Sequence, residues 1–277
     1  MNMWTEDLVL PEELRKERLQ KEPASYTAWI LGKSGKTQEK KRKAVIICPG
    51  GGYEHLSPRE GEPIAMKYLA MGCHVFVLHY SLAPERFPTA LRELALLTAK
   101  IREHADEWLI DPEGIIVSGF SAGGHLASII ATHTPEALRP NFQILFYPVI
   151  TMDKSFTHMG SHDNLLGKDA SAELEKEFSN EKQVTKETPR AFIVYSDDDK
   201  VVPPANGVNY YLALNKKGVP SVLHIYPTGG HGWGIREDFL YKSEMQNELT
   251  SWLRSFKAPR KDAVRVACIG NSITEQE

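Results

Sequence analysis

The 277 residues carry a formal net charge of −3, with 42% hydrophobic and 25% charged side chains. That balance fits one large α/β domain or two small ones, and it argues against a nucleic-acid binder, which would show a basic face. No apolar run approaches the ~18 residues of a membrane-spanning helix, and the three cysteines, Cys48, Cys73 and Cys268, lack metal-ligand spacing and read as buried free thiols.

Taken in order, residues 1–7 have neither a basic nor an apolar leader region, which leaves a cytoplasmic protein or one whose leader has been removed. Residues 11–20 predict a short surface helix and 26–31 an edge strand, and 33–43 read as a solvated Gly/Lys-rich connection. Strand and helix patterns then alternate, as in α/β folds. A buried strand over 44–48 ends in Pro49-Gly50-Gly51-Gly52-Tyr53. A helix over 63–71, with Pro63 in its first turn, leads to a second buried strand over 75–78 and a long amphipathic helix over 90–108. Asp111-Pro112-Glu113-Gly114 reads as a turn, and 142–147 as a strand stopped by Pro148. From 151 to 189 the alternation lapses into a polar stretch with one helical piece over 172–178, where a lid or substrate-binding insertion would sit. It resumes with a strand over 191–195, a helix over 205–217, a strand over 222–226 and a closing helix over 236–256.

Between that turn and the 142–147 strand lies Ile115-Ile116-Val117-Ser118-Gly119-Phe120-Ser121-Ala122-Gly123-Gly124-His125, an apolar run meeting G-F-S-A-G and then a helical pattern. Glycines flanking the serine let the backbone turn sharply from strand to helix and push the hydroxyl into a cleft. The Ala122 amide would open the helix, where free N–H groups stabilise a developing oxyanion. A serine needs a histidine base, and the histidine a carboxylate that holds its tautomer. Both follow in chain order. His231 stands among four glycines in Gly229-Gly230-His231-Gly232-Trp233-Gly234, and Ser196-Asp197-Asp198-Asp199 offers three acids. Asp198, five residues before Pro203, is the favoured acid, with Asp197 second and Asp199 third. The Gly51 and Gly52 amides are assigned as oxyanion donors beside Ala122, because only glycine lets the backbone come this close. No G-K-[ST] or G-x-G-x-x-G pattern surrounds them to suggest a nucleotide site.

These blocks, with Tyr80-Ser81-Leu82-Ala83-Pro84-Glu85, Tyr147-Pro148-Val149-Ile150 and Gly160-Ser161-His162-Asp163-Asn164-Leu165-Leu166-Gly167, resemble the α/β-hydrolase esterases and lipases related to hormone-sensitive lipase. The likeness is greatest to bacterial acetyl xylan and feruloyl esterases. It departs at Pro49, where many relatives carry histidine. It implies a central, mostly parallel sheet flanked by helices with a small insertion, a serine carboxylester hydrolase needing no metal or organic cofactor, and a short-acyl ester of a plant cell-wall carbohydrate such as xylan as substrate. Tyr53, His55 and Trp233 stand beside the motifs as candidate substrate contacts, although His55 could equally cap its loop. His125 is expected to pack behind the elbow, and His158, His162 and Asp163 to belong to the esterase insertion rather than to a metal site. A serine peptidase, an arylformamidase or lactonase on the same fold, and a non-catalytic small-molecule receptor remain the alternatives.

After a linker at 258–261, the tail reads Ala263-Val264-Arg265-Val266-Ala267-Cys268-Ile269-Gly270-Asn271-Ser272-Ile273-Thr274-Glu275. It resembles the first block of the SGNH/GDSL hydrolases, with Asn271 in place of the usual aspartate and Ser272 as nucleophile. The expected organisation is a catalytic domain over 1–257 and the start of a second esterase domain over 258–277, from a longer two-esterase protein or a truncated gene product.

Overall fold

The computed structural model describes residues 1–16, 18–20, 22–32 and 41–256. The expected tail block, with Cys268, Asn271 and Ser272, lies outside the described residues. Strands β1 (Asn2–Leu8), β2 (Ala24–Ile30), β3 (Arg42–Cys48), β4 (His74–His79), β5 (Ile110–Phe120), β6 (Phe142–Phe146), β7 (Arg190–Ser196) and β8 (Val222–Tyr226) form one sheet in the order β1-β2-β4-β3-β5-β6-β7-β8. The β1–β2 and β2–β4 pairings are antiparallel. The rest, from β4–β3 across to β7–β8, are parallel. The helices are α1 (Glu12–Arg15), α2 (Glu62–Ala70), α3 (Thr89–Glu103), α4 (Ala122–His133), α5 (Met159–Leu166), α6 (Ala172–Glu177), α7 (Ala205–Lys216) and α8 (Lys242–Ser255). This is the mostly parallel, helix-flanked sheet that the sequence predicts.

Central strands covered on both faces must be apolar throughout. Ala44 to Cys48, Ile115 to Phe120 and Ala191 to Ser196 are buried without a break. The parallel arrangement brings the C-terminal ends of β3, β5, β7 and β8 to one edge of the sheet, and the glycine loop, the elbow, the aspartates and the histidine all lie on loops leaving that edge.

The departures from the predicted elements each have a physical cause. Strand β1 alternates exposed and half-buried residues as far as the buried Leu8 and reads as polar, yet it pairs along its length with β2 and takes the edge position expected of 26–31. The predicted 11–20 helix shrinks to Glu12–Arg15, because the Leu19 and Gln20 amides instead donate to the Glu85 carboxylate at 2.6 and 2.7 Å. Strand β5 starts at Ile110 and runs through the predicted 111–114 turn, and the sheet absorbs the extra residues as an irregularity opposite Arg42 and Ala44. The closing helix begins only at Lys242, because turns occupy the stretch before it, with the Arg236 amide donating to the Trp233 carbonyl at 2.8 Å. The insertion holds the unpredicted α5, whose first turn is capped by His158. Cys48 and Cys73 are buried free thiols, and burial pushes the Cys73 thiol up to about 11.

Candidate active site

Ser121 sits between β5 and α4 with φ 52° and ψ −119°, a left-handed backbone that a serine adopts only under constraint. The constraint is close packing at its neighbours. A Cβ on Gly119 would stand 2.3 Å from the Gly123 carbonyl oxygen, and one on Gly123 would stand 2.1 Å from the Cys48 carbonyl oxygen. Only glycine at both positions lets the strand, the turn and the helix meet. Two further non-glycine residues with positive φ, Tyr53 and Tyr147, lie in the same region, so backbone strain is concentrated around the serine.

The Ser121 hydroxyl lies 2.9 Å from His231 Nε2, and His231 Nδ1 lies 2.7 Å from Asp199 Oδ2. A carboxylate only accepts, so Nδ1 donates and Nε2 is left to accept the serine proton. Asp199 is buried, and its other oxygen accepts the Val201 and Val202 amides, each at 2.9 Å. The carboxylate is thus fixed by its own loop before it meets the imidazole. This corrects the sequence assignment. Asp198 is exposed and accepts the Gly230 amide at 2.8 Å, so it braces the histidine loop without touching the ring. Asp197 is exposed too. Distance from Pro203 could not reveal which side chain the turn directs inward.

The glycine loop runs beside the nucleophile, since a Cβ on Gly50 would stand 3.0 Å from the Ser121 Cβ. The Gly50 amide is engaged by Glu60 Oε2 at 2.8 Å. The amides of Gly51, Gly52 and Ala122 donate to no group among the described residues.

Two expected substrate contacts are overturned. Tyr53 is buried, with its hydroxyl 3.1 Å from His125 Nδ1. Trp233 is buried and stacks on Phe239 with ring centroids 3.9 Å apart, which supports the histidine loop from below. Both are too deep to meet a ligand. His55 is exposed beside Gly51. His125 packs behind the elbow, its Nε2 donating to the Phe178 carbonyl at 2.9 Å, and burial lowers its pKa to about 3. His162 is buried between Asp163 and Glu175, and no group of three metal-binding side chains occurs among the described residues. No helix among them is long and apolar enough to cross a membrane.

Sequence reasoning missed Glu60 and Tyr147. Tyr147 Oη donates to Glu60 Oε1 at 2.8 Å and accepts the Gly234 amide at 3.0 Å, and its ring meets the His231 ring edge-on at 4.8 Å. Burial and the neighbouring carboxylate hold the Tyr147 phenol well above its ordinary pKa, so it keeps the proton it donates. Nothing local marks Glu60, which stands outside every motif.

Residues 45–235 match the family model of the alpha/beta hydrolase fold. The chain belongs to the α/β-hydrolase family. Among relatives of this α/β-hydrolase, an acetylxylan esterase from Xylanibacter ruminicola is 40% identical over 238 residues, covering 84% of this chain and 50% of that protein. The endo-1,4-beta-xylanase B of Butyrivibrio fibrisolvens is 34% identical over 213 residues, covering 72% of this chain and 33% of that protein. The chain therefore spans half the length, or less, of these curated relatives. The crystal structure of an acetyl ester-xyloside bifunctional hydrolase from Caldicellulosiruptor lactoaceticus superposes with a TM-score of 0.84 at 32% identity, covering 91% of this chain and 96% of that one.

Proposed function

We propose that this α/β-hydrolase is a serine carboxylester hydrolase that removes acetyl groups from a plant cell-wall carbohydrate such as xylan. The observation that carries the reading is the unbroken relay Ser121–His231–Asp199, at 2.9 and 2.7 Å, beside the unengaged amides of Gly51, Gly52 and Ala122. Ser121 Oγ attacks the ester carbonyl while His231 Nε2 takes its proton. The carbonyl oxygen gathers negative charge, and the three amides stabilise it. Asp199 keeps Nδ1 protonated and offsets the charge of the imidazolium. The imidazolium then protonates the departing sugar oxygen. Water, deprotonated by the same nitrogen, releases acetate and restores the serine.

The substrate class is supported by the acetylxylan esterase and the acetyl ester-xyloside hydrolase among the relatives. Release of acetate and of ferulate from native xylan tests it. The reading expects acetate as the main product with wild-type protein and none with Ser121→Ala. Equal turnover by the two proteins would remove Ser121 from the chemistry.

A further inference from the structure

The insertion meets the glycine loop through two side chains of α5 and its cap. Asn164 Nδ2 donates to the Gly52 carbonyl at 2.9 Å. The His158 ring lies over Gly52, whose absent Cβ would stand 3.6 Å from His158 Cε1. His158 Nδ1 accepts the Ser161 amide at 3.2 Å, as the N-cap of α5, with the Ser161 hydroxyl 2.9 Å away. A nitrogen that accepts an amide proton holds none of its own, so the neutral ring carries its proton on Nε2. That N–H has no partner among the described residues. Burial, with His231 nearby, keeps the His158 pKa below its ordinary value, so the ring is an uncharged donor at neutral pH.

We propose that His158 Nε2–H binds the alcohol half of the substrate, donating to a hydroxyl or ring oxygen of the sugar that carries the acetyl group. The inference rests on the esterase reading above. An acetyl group has one carbonyl oxygen, which the Gly51, Gly52 and Ala122 amides serve, and every other acceptor on the substrate belongs to the sugar. A neutral donor suits an uncharged hydroxyl. A site that spends a hydrogen bond on a substrate hydroxyl rejects esters lacking it. His158 is therefore a specificity determinant, supplied by the insertion and not by the triad loops.

The test compares kcat/KM for acetylated xylo-oligosaccharides with that for p-nitrophenyl acetate, whose leaving group has no such hydroxyl. His158→Asn retains an N-cap acceptor for α5 while removing the ring N–H. The ratio of sugar-ester to aryl-ester kcat/KM is expected to fall about tenfold, mainly through KM for the oligosaccharide. His158→Asp, which caps as well and has no donor, should lower the ratio at least as far. Proportional losses on both esters, which leave the ratio unchanged, would assign His158 to capping or to the oxyanion, and wild-type kcat/KM on both would leave it no role in binding; either overturns the proposal. Wild-type protein that cleaves p-nitrophenyl acetate but leaves the oligosaccharides untouched would instead overturn the carbohydrate reading, and this inference with it.

Discussion

The Tyr147 hydroxyl donates to Glu60 Oε1 across 2.8 Å, and this bond joins the glycine loop to the loop that carries His231. Glu60 holds the Gly50 amide of the glycine loop, and Tyr147 holds the Gly234 amide of the histidine loop. All three bonds are buried, so each loop is anchored to the same carboxylate–phenol pair.

Tyr147→Phe leaves Glu60 Oε1 and the Gly234 amide without their partner. An unsatisfied buried polar group costs about 1–3 kcal/mol, so the unfolding free energy should drop by that order and the urea midpoint with it. Activity with p-nitrophenyl acetate should fall as well, because the histidine loop loses its brace. An unchanged midpoint would show that water replaces the phenol at no cost.

Asp199→Asn and Asp198→Asn should behave differently although the residues are adjacent. The first removes the group that fixes the His231 tautomer, a loss of about 10⁴ in kcat where the equivalent change was made in a serine protease. The second alters an exposed side chain that, among the described residues, holds only the Gly230 amide, and activity should change by a few-fold at most. Kinetics of the two variants with p-nitrophenyl acetate decide it. The reverse order would restore Asp198 as the triad acid.

His125 makes stability depend on pH. Its folded pKa is lowered to about 3 by burial, whereas the unfolded imidazole titrates near 6.5. Above that value the ring is neutral in both states and its contribution is complete. As pH falls, the unfolded chain takes up a proton that the folded ring refuses, and stability declines by up to about 1.4 kcal/mol per pH unit from this group. NMR of the His125 ring should show no titration between about pH 7 and 4.5 in the folded protein. A ring that titrates near 6.5 would remove the effect.

Gly123→Ala places a methyl 2.1 Å from the Cys48 carbonyl oxygen, inside a packed strand–helix junction where no side chain can move aside. Overpacking of this kind costs ~3 kcal/mol. Since the displaced backbone leads into the oxyanion loop, kcat should fall along with the thermal midpoint. A variant with wild-type stability would mean that the junction relaxes freely.

The sequence by itself determined the fold class and the places of the serine and histidine, because those depend on local rules. An unbroken apolar run makes a buried strand, and glycines on either side of Ser121 allow a turn that any Cβ would block. Chain order then put an acid loop and a histidine loop after later strands. What only the tertiary structure decided are relations between side chains distant in sequence. Asp199 was chosen over Asp198 by the direction of a turn, read from a contact with His231 32 residues away. The bond between Glu60 and Tyr147, 87 residues apart, left no local signal, although Tyr147 stands in a recognised block, because neither needs a particular neighbour in sequence to form it. Tyr53 and Trp233 looked like cleft residues beside the motifs, but packing beneath the loops buried them. Periodicity and backbone sterics are written residue by residue, whereas side-chain direction and hydrogen-bond pairing are fixed only when the loops pack against one another.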